Sequence, residues 1–167
     1  MSHFLNNLNS KGFIFHKYNL SDFDFTDEYK LVHQFIDYIK TIINIKNEEL
    51  YYDIDIINLN ERHLPHYHII PGSFQVVIWL PDVEFEGRHF LFGTPNNLNQ
   101  TKPKLGYMCF LKPNDPNFIH GTTSLLSDVC IKSIGISSLI KDISGNRDIF
   151  VESFDVKNEL INIESLY

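Results

Sequence analysis

Between residues 27 and 45 the apolar positions recur at spacings of three and four. Leu31, Phe35, Ile39 and Ile42 form a stripe, and Val32, Ile36 and Ile43 widen it. Lys30, Asp37 and Lys40 fall on the other face, and Thr26 or Asp27 can cap the start. The pattern predicts one amphipathic helix packed against a sheet. Before it, residues 1–11 read as a loose polar lead-in. Gly12 to His16 reads as a short strand, and Ser21 to Asp27 as an acidic, aromatic loop.

After Asn47-Glu48-Glu49 the period changes to two. In Leu50 to Ile57, Tyr52, Ile54 and Ile56 share one side and Asp53 and Asp55 the other, which predicts a half-buried strand with a solvated acidic face. Short strands broken by turn residues follow. One holds His66 and His68. Ser73 to Leu80 is apolar on both faces, so it reads as a covered strand. Arg88 to Phe92, Gly106 to Leu111, Phe118 to Gly121 and Val129 to Ser137 follow, with a last strand near 148–154. Residues 93–105, rich in Asn and Pro, read as a long loop and a candidate lid. One helix followed by about eight short strands predicts a mostly β fold, a sandwich or barrel of the jelly-roll kind.

Composition narrows the function. A chain of 167 residues that is 43% hydrophobic is about one domain's worth with a sizeable core. A net charge of -7 argues against a nucleic-acid or membrane-surface binder. Met1 to Lys11 lacks an apolar signal-peptide core, and no run is long and apolar enough for a transmembrane helix. Cys109 and Cys130 make no disulfide framework and read as buried thiols. A cytoplasmic protein is expected.

The chemistry concentrates in the histidines, five of eight lying between residues 63 and 120. In a strand, residues two apart point to one side, so His66 and His68 aim two imidazoles at one point. His120, followed by Gly121, is placed to supply a third. Neutral imidazole is a common ligand of iron, zinc, copper and nickel, and three ligands leave positions open for substrate or oxygen. Gly121 would let a bound molecule approach closely. His63 and His89 read as structural or supporting residues, and His3, His16 and His33 have no supporting context.

The run from His66 to Ser138 resembles the core of iron(II)- and 2-oxoglutarate-dependent oxygenases of the small prolyl-hydroxylase-like type. The matching stretches are His66-Tyr67-His68, Phe74 to Pro81, Phe85-Glu86-Gly87-Arg88-His89-Phe90, Gly106 to Phe110 and Phe118-Ile119-His120-Gly121. The resemblance implies a double-stranded β-helix, the cupin-like jelly roll, in a single domain over 1–167. Residues 1–49 would form an N-terminal strand and support helix, and 50–154 the catalytic core. It implies iron(II) held by His66, His68 and His120, with no catalytic side chains beyond these ligands. It further implies 2-oxoglutarate as co-substrate and a small molecule or peptide as substrate, hydroxylated at a C–H bond.

The chain departs from that pattern at three places. His68 stands where the family has a carboxylate, and His89 where a glycine turn is followed by Glu. The basic residue expected ten positions after the distal histidine is absent, since Cys130 stands there. Lys132 shares a strand face with Cys130, Ile134 and Ile136, and an anion would justify its burial there. Lys132 is therefore the first candidate for the co-substrate carboxylate and Arg88 the second. Three neutral ligands leave iron(II) at a net charge of +2, where two histidines and a carboxylate leave +1. Two other readings stay open. One is a cupin-like three-histidine dioxygenase that needs no 2-oxoglutarate. The other is a non-catalytic descendant that binds a metal, an anion or only a partner.

Overall fold

The computed structural model describes residues 3–45, 48–69, 74–138, 148–152 and 154–167. In chain order these form α1 (His3–Lys11), β1 (Phe13–Lys17), a 3-10 turn (Leu20–Asp22), α2 (Glu28–Ile43), β2 (Tyr51–Ile57), β3 (His63–His68) and β4 (Gln75–Leu80). They continue with β5 (Phe90–Thr94), β6 (Asn97–Thr101), β7 (Tyr107–Leu111), β8 (Ile119–Thr122), β9 (Ile131–Ser137), β10 (Asp148–Phe150) and β11 (Val156–Leu160), and end in a 3-10 turn (Ile163–Leu166).

The strands make two sheets, one in the order β1-β7-β4-β9-β2 and the other β10-β3-β8-β5-β6-β11. The helix pattern holds within a residue or two at each end. Asp27 caps α2 by accepting a bond from the Lys30 amide at 3.0 Å, and Asn44, with φ of 56°, ends it in the left-handed conformation. The α2 stripe packs against Val76, Ile78, Met108, Phe110, Ile134 and Ile136 on the outer face of the five-stranded sheet. Phe35, Ile39 and Phe110 are fully buried, each contributing about 1.5–3 kcal/mol by removal from water. The other face of that sheet carries Phe15, Trp79, Cys109 and Leu111, which meet Phe90 and Phe92 of the six-stranded sheet. β4 is apolar on both faces because it lies between a helix layer and a second sheet.

Four sequence expectations change. The polar lead-in is helix α1, because Leu5 and Leu8 are buried and Phe4 meets Phe110 edge-on at 4.8 Å between ring centroids. The long loop at 93–105 contains β6, which pairs with β5 as a hairpin, so that stretch is part of a sheet and not a lid. A further strand, β11, lies parallel to β6 beyond residue 154. Cys109 is buried as expected, but Cys130 is exposed just before β9, and its thiol donates to Asn58 Oδ1 at 3.3 Å. Ser73 and part of the 148–154 strand fall outside the described residues.

Candidate metal centre

Antiparallel pairing of β3 with β8 sets His66 directly opposite His120. His68 follows on the same side of β3, as the two-residue period requires. The three rings converge, with centroids 4.4 Å apart for His66 and His120, 4.9 Å for His66 and His68, and 5.1 Å for His68 and His120. One ligand nitrogen from each lies within 4.8 Å of the others. The Nε2 atoms of His68 and His120 are 3.2 Å apart. Two donors about 2.1 Å from one ion at tetrahedral or octahedral angles are about 3.0–3.4 Å apart, so this spacing fits a shared ion.

Chemistry around the rings suits ligation. His66 Nδ1–H donates to the Leu64 carbonyl at 2.7 Å. That bond fixes the tautomer and leaves the Nε2 lone pair for a metal, the usual arrangement behind a ligating histidine. Burial, then the nearby His66 and His68, holds His120 well below the ordinary histidine range, so its ring stays neutral. His120 Nδ1 is buried without a hydrogen-bond partner among the described residues.

The triad lines a cavity of about 420 Å³ between the two sheets. Trp79, Phe90, Phe150, Ser133, Asp53, Asp55, Arg62, His63 and Arg88 also line it. Arg88 is buried and sits in a tight turn, with φ of 73° at Gly87 and 50° at Arg88. Its Nη1 donates to the Glu61 carbonyl at 3.1 Å. Burial lowers the Arg88 guanidinium from its ordinary value, while Glu61 and Asp55 oppose that shift. Burial, then Asp53, raises the Asp55 carboxyl, while His63 and Arg88 pull it down.

Not every sequence candidate reaches the cavity. β9 turns Ile131, Ser133 and Gly135 toward it and Lys132, Ile134 and Ile136 toward α2. Lys132 instead pairs with Glu28 at the start of α2, with 41% of its side chain exposed. The anion that justifies its place is that carboxylate. His63 lines the cavity beside the triad, and His89 does not. Asp53 and Asp55 are exposed, as expected of a solvated strand face, while Tyr52 and Ile54 pack against the core; the sequence did not show that the acidic face borders the cavity.

No protein-family model matches the sequence, and no curated protein matches it at the sequence level. Solved structures match by fold. A prolyl-4-hydroxylase from Pseudomonas putida aligns with a TM-score of 0.58 and 9% identity over 82% of this chain and 90% of that one. A prolyl hydroxylase from Trichoplax adhaerens, solved with a hypoxia-inducible-factor peptide, aligns at 0.58 and 10% identity, covering 80% and 86%. HygX from Streptomyces hygroscopicus, solved with nickel and 2-oxoglutarate, aligns at 0.52 and 10% identity, covering 96% and 100%. No helix among the described residues is long and apolar enough to cross a membrane. The chain therefore has the double-stranded β-helix fold of the prolyl hydroxylases and related 2-oxoglutarate, iron(II) oxygenases, with three histidines gathered in its cavity.

Proposed function

We propose that the protein is an iron(II)-dependent oxygenase that hydroxylates a C–H bond of a small molecule or peptide, with 2-oxoglutarate as co-substrate. The convergence of His66, His68 and His120 inside the cavity of this fold carries the reading. These three side chains would hold the metal through Nε2. Iron(II), when bound, supplies the redox chemistry by which dioxygen oxidises substrate and 2-oxoglutarate, giving succinate and carbon dioxide. The neutral ligand set leaves the ion's full charge to attract an anionic co-substrate. Arg88, the buried cation of the cavity, would pair with the distal carboxylate of 2-oxoglutarate. Trp79 and Phe90, both buried, line the cavity and would limit water at the reacting centre. Two thiols without disulfide partners fit a reducing cytoplasm.

A second reading is favoured by one observation. The cavity-facing residues of β9 include no basic side chain, and Arg88 already faces Asp55 and the Glu61 carbonyl. A three-histidine dioxygenase that cleaves its substrate without 2-oxoglutarate fits that arrangement. Oxygen uptake and succinate formation, measured on the iron-loaded protein with and without 2-oxoglutarate, separate the two. Succinate formation that needs iron and 2-oxoglutarate supports the first reading. A protein that binds iron yet consumes oxygen only with substrate and no 2-oxoglutarate supports the second.

A further inference from the structure

The wall of the cavity facing the histidines carries several acceptors and the Trp79 ring among apolar residues. Strand register sets Asp55, Ser133 and Trp79 in one row across β2, β9 and β4, and Asp53, Gly135 and Val77 in the next. All six line the cavity, as does Gln75 two residues before Val77. The backbone at Gly135 is outside the left-handed region, so conformation does not demand glycine there. A Cβ at 135 would lie 3.1 Å from Asp53 Oδ2, so this exposed carboxylate of the edge strand β2 reaches over to β9 at the cavity rim. Gln75 Oε1 is buried with no hydrogen-bond partner among the described residues, an acceptor lacking a donor. Trp79 adds a ring to the same wall, while Phe150 stands across the cavity beside His66, with ring centroids 5.5 Å apart.

The cavity's cations are separated from this end. Phe90 pairs with Thr122, which pairs with His63, and Arg88 lies beyond that row. Asp55 is the acid near His63 and Arg88. Asp53 and Gln75 lie on the far side of Asp55 along the strands. Arg62 is exposed at the rim. One end of the cavity therefore favours an anion and the other a hydrogen-bond-donating cation.

We infer that the cavity seats a positively charged amine group of the substrate between the Asp53 carboxylate, Gln75 Oε1 and the Trp79 ring, opposite the three histidines. The inference rests on the oxygenase reading for the word substrate, but the seat itself is a binding property. A carboxylate offers about four acceptor positions, so an ammonium fits beside whatever else Asp53 holds. Carboxylates with aromatic faces are the chemistry that selects ammonium over a neutral group of the same shape.

The chain's only tryptophan, Trp79, lines the cavity and reports its occupancy. The test titrates the full chain, with and without iron(II) under anaerobic conditions, with n-butylamine as its ammonium ion, 1-butanol and butyrate, following Trp79 fluorescence at neutral pH. The amine is expected to bind about ten-fold more tightly than the alcohol, the worth of one charge-assisted hydrogen bond. Asp53→Asn, which keeps shape and removes charge, should erase that margin, and Gly135→Val should reduce it with both charges intact. Equal affinity for amine and alcohol in the unaltered protein overturns the inference. So does an amine preference that survives Asp53→Asn and Asp53→Asn/Asp55→Asn together. Amine preference in a protein that binds no iron upholds the seat while the oxygenase reading fails. Turnover of 2-oxoglutarate with no amine preference does the reverse.

Discussion

Replacing Gly121 by alanine tests whether strand packing sets the histidine geometry. Gly121 lies in β8 next to His120, and β3, which carries His66 and His68, passes directly over it. A Cβ at 121 would sit 2.7 Å from the His63 carbonyl oxygen, 2.9 Å from Pro65 N and 3.0 Å from Pro65 Cα. All three are main-chain atoms, so no rotamer change relieves them. Ordinary contact begins at 3.4 Å, so the strands must part by 3.4 − 2.7, or 0.7 Å. Passed on in full, that opens the 3.2 Å spacing of the His68 and His120 nitrogens to about 3.9 Å. Metal–ligand distances tolerate only about 0.2 Å. The overpacking should cost about 1–3 kcal/mol, or about 2–12 °C in Tm for a chain of this size. Iron(II) affinity should fall about 10–100-fold. Thermal unfolding by circular dichroism and anaerobic calorimetric titration measure both. A Gly121→Ala protein with unchanged Tm and unchanged iron affinity would show that β3 does not rest on Gly121.

The two cationic candidates separate by substitution. Arg88→Met should weaken 2-oxoglutarate binding about 10–100-fold in calorimetry, the loss of a buried charge-assisted pair, whereas Lys132→Met should leave it unchanged. Lys132→Met removes a half-exposed pair with Glu28, so its stability change should stay below about 1 kcal/mol. Asp24 accepts from the Lys30 ammonium and from the Thr26 hydroxyl and amide, which together hold its carboxyl down at about 2. A depressed carboxyl adds stability that is present above the unfolded value of about 3.9 and is lost as pH falls through the folded one. Carboxyl NMR titration should find Asp24 titrating near 2, and Lys30→Met should move it up.

Residues with a strict period were legible in the sequence. The stripe from Leu31 to Ile43 could only be a helix face, and His66 and His68 could only share a strand face. What parity leaves open is which face of a strand looks where. β9 has two covered faces, one under α2 and one on the cavity, and the alternation that groups Lys132 with Ile134 and Ile136 is the same for either. Asp53 and Asp55 are solvated as the alternation suggested, but alternation does not reveal that the water they face is that of a cavity mouth. β6 was hidden because Asn97, Asn99 and Gln100 carry no apolar signal. Its place comes from hairpin pairing with β5 and from Leu98 and Thr101, which are buried. The glycine after His120 was read as room for a ligand, and it does line the cavity, but the sequence did not show that a Cβ there would also meet the backbone of β3. Even so, the strand pattern pointed to a jelly roll, and the resemblance of His66 to Ser138 to the oxygenases implied the double-stranded β-helix that the protein has.

The three-histidine assignment is tested most directly by anaerobic titration of the purified chain with iron(II), read by calorimetry and by metal analysis after gel filtration. One equivalent should bind per chain, and His66→Ala, His68→Ala and His120→Ala should each abolish or sharply weaken it while circular dichroism shows the fold retained. Absence of bound iron(II) or any other divalent metal, or binding that survives all three substitutions, would contradict the assignment.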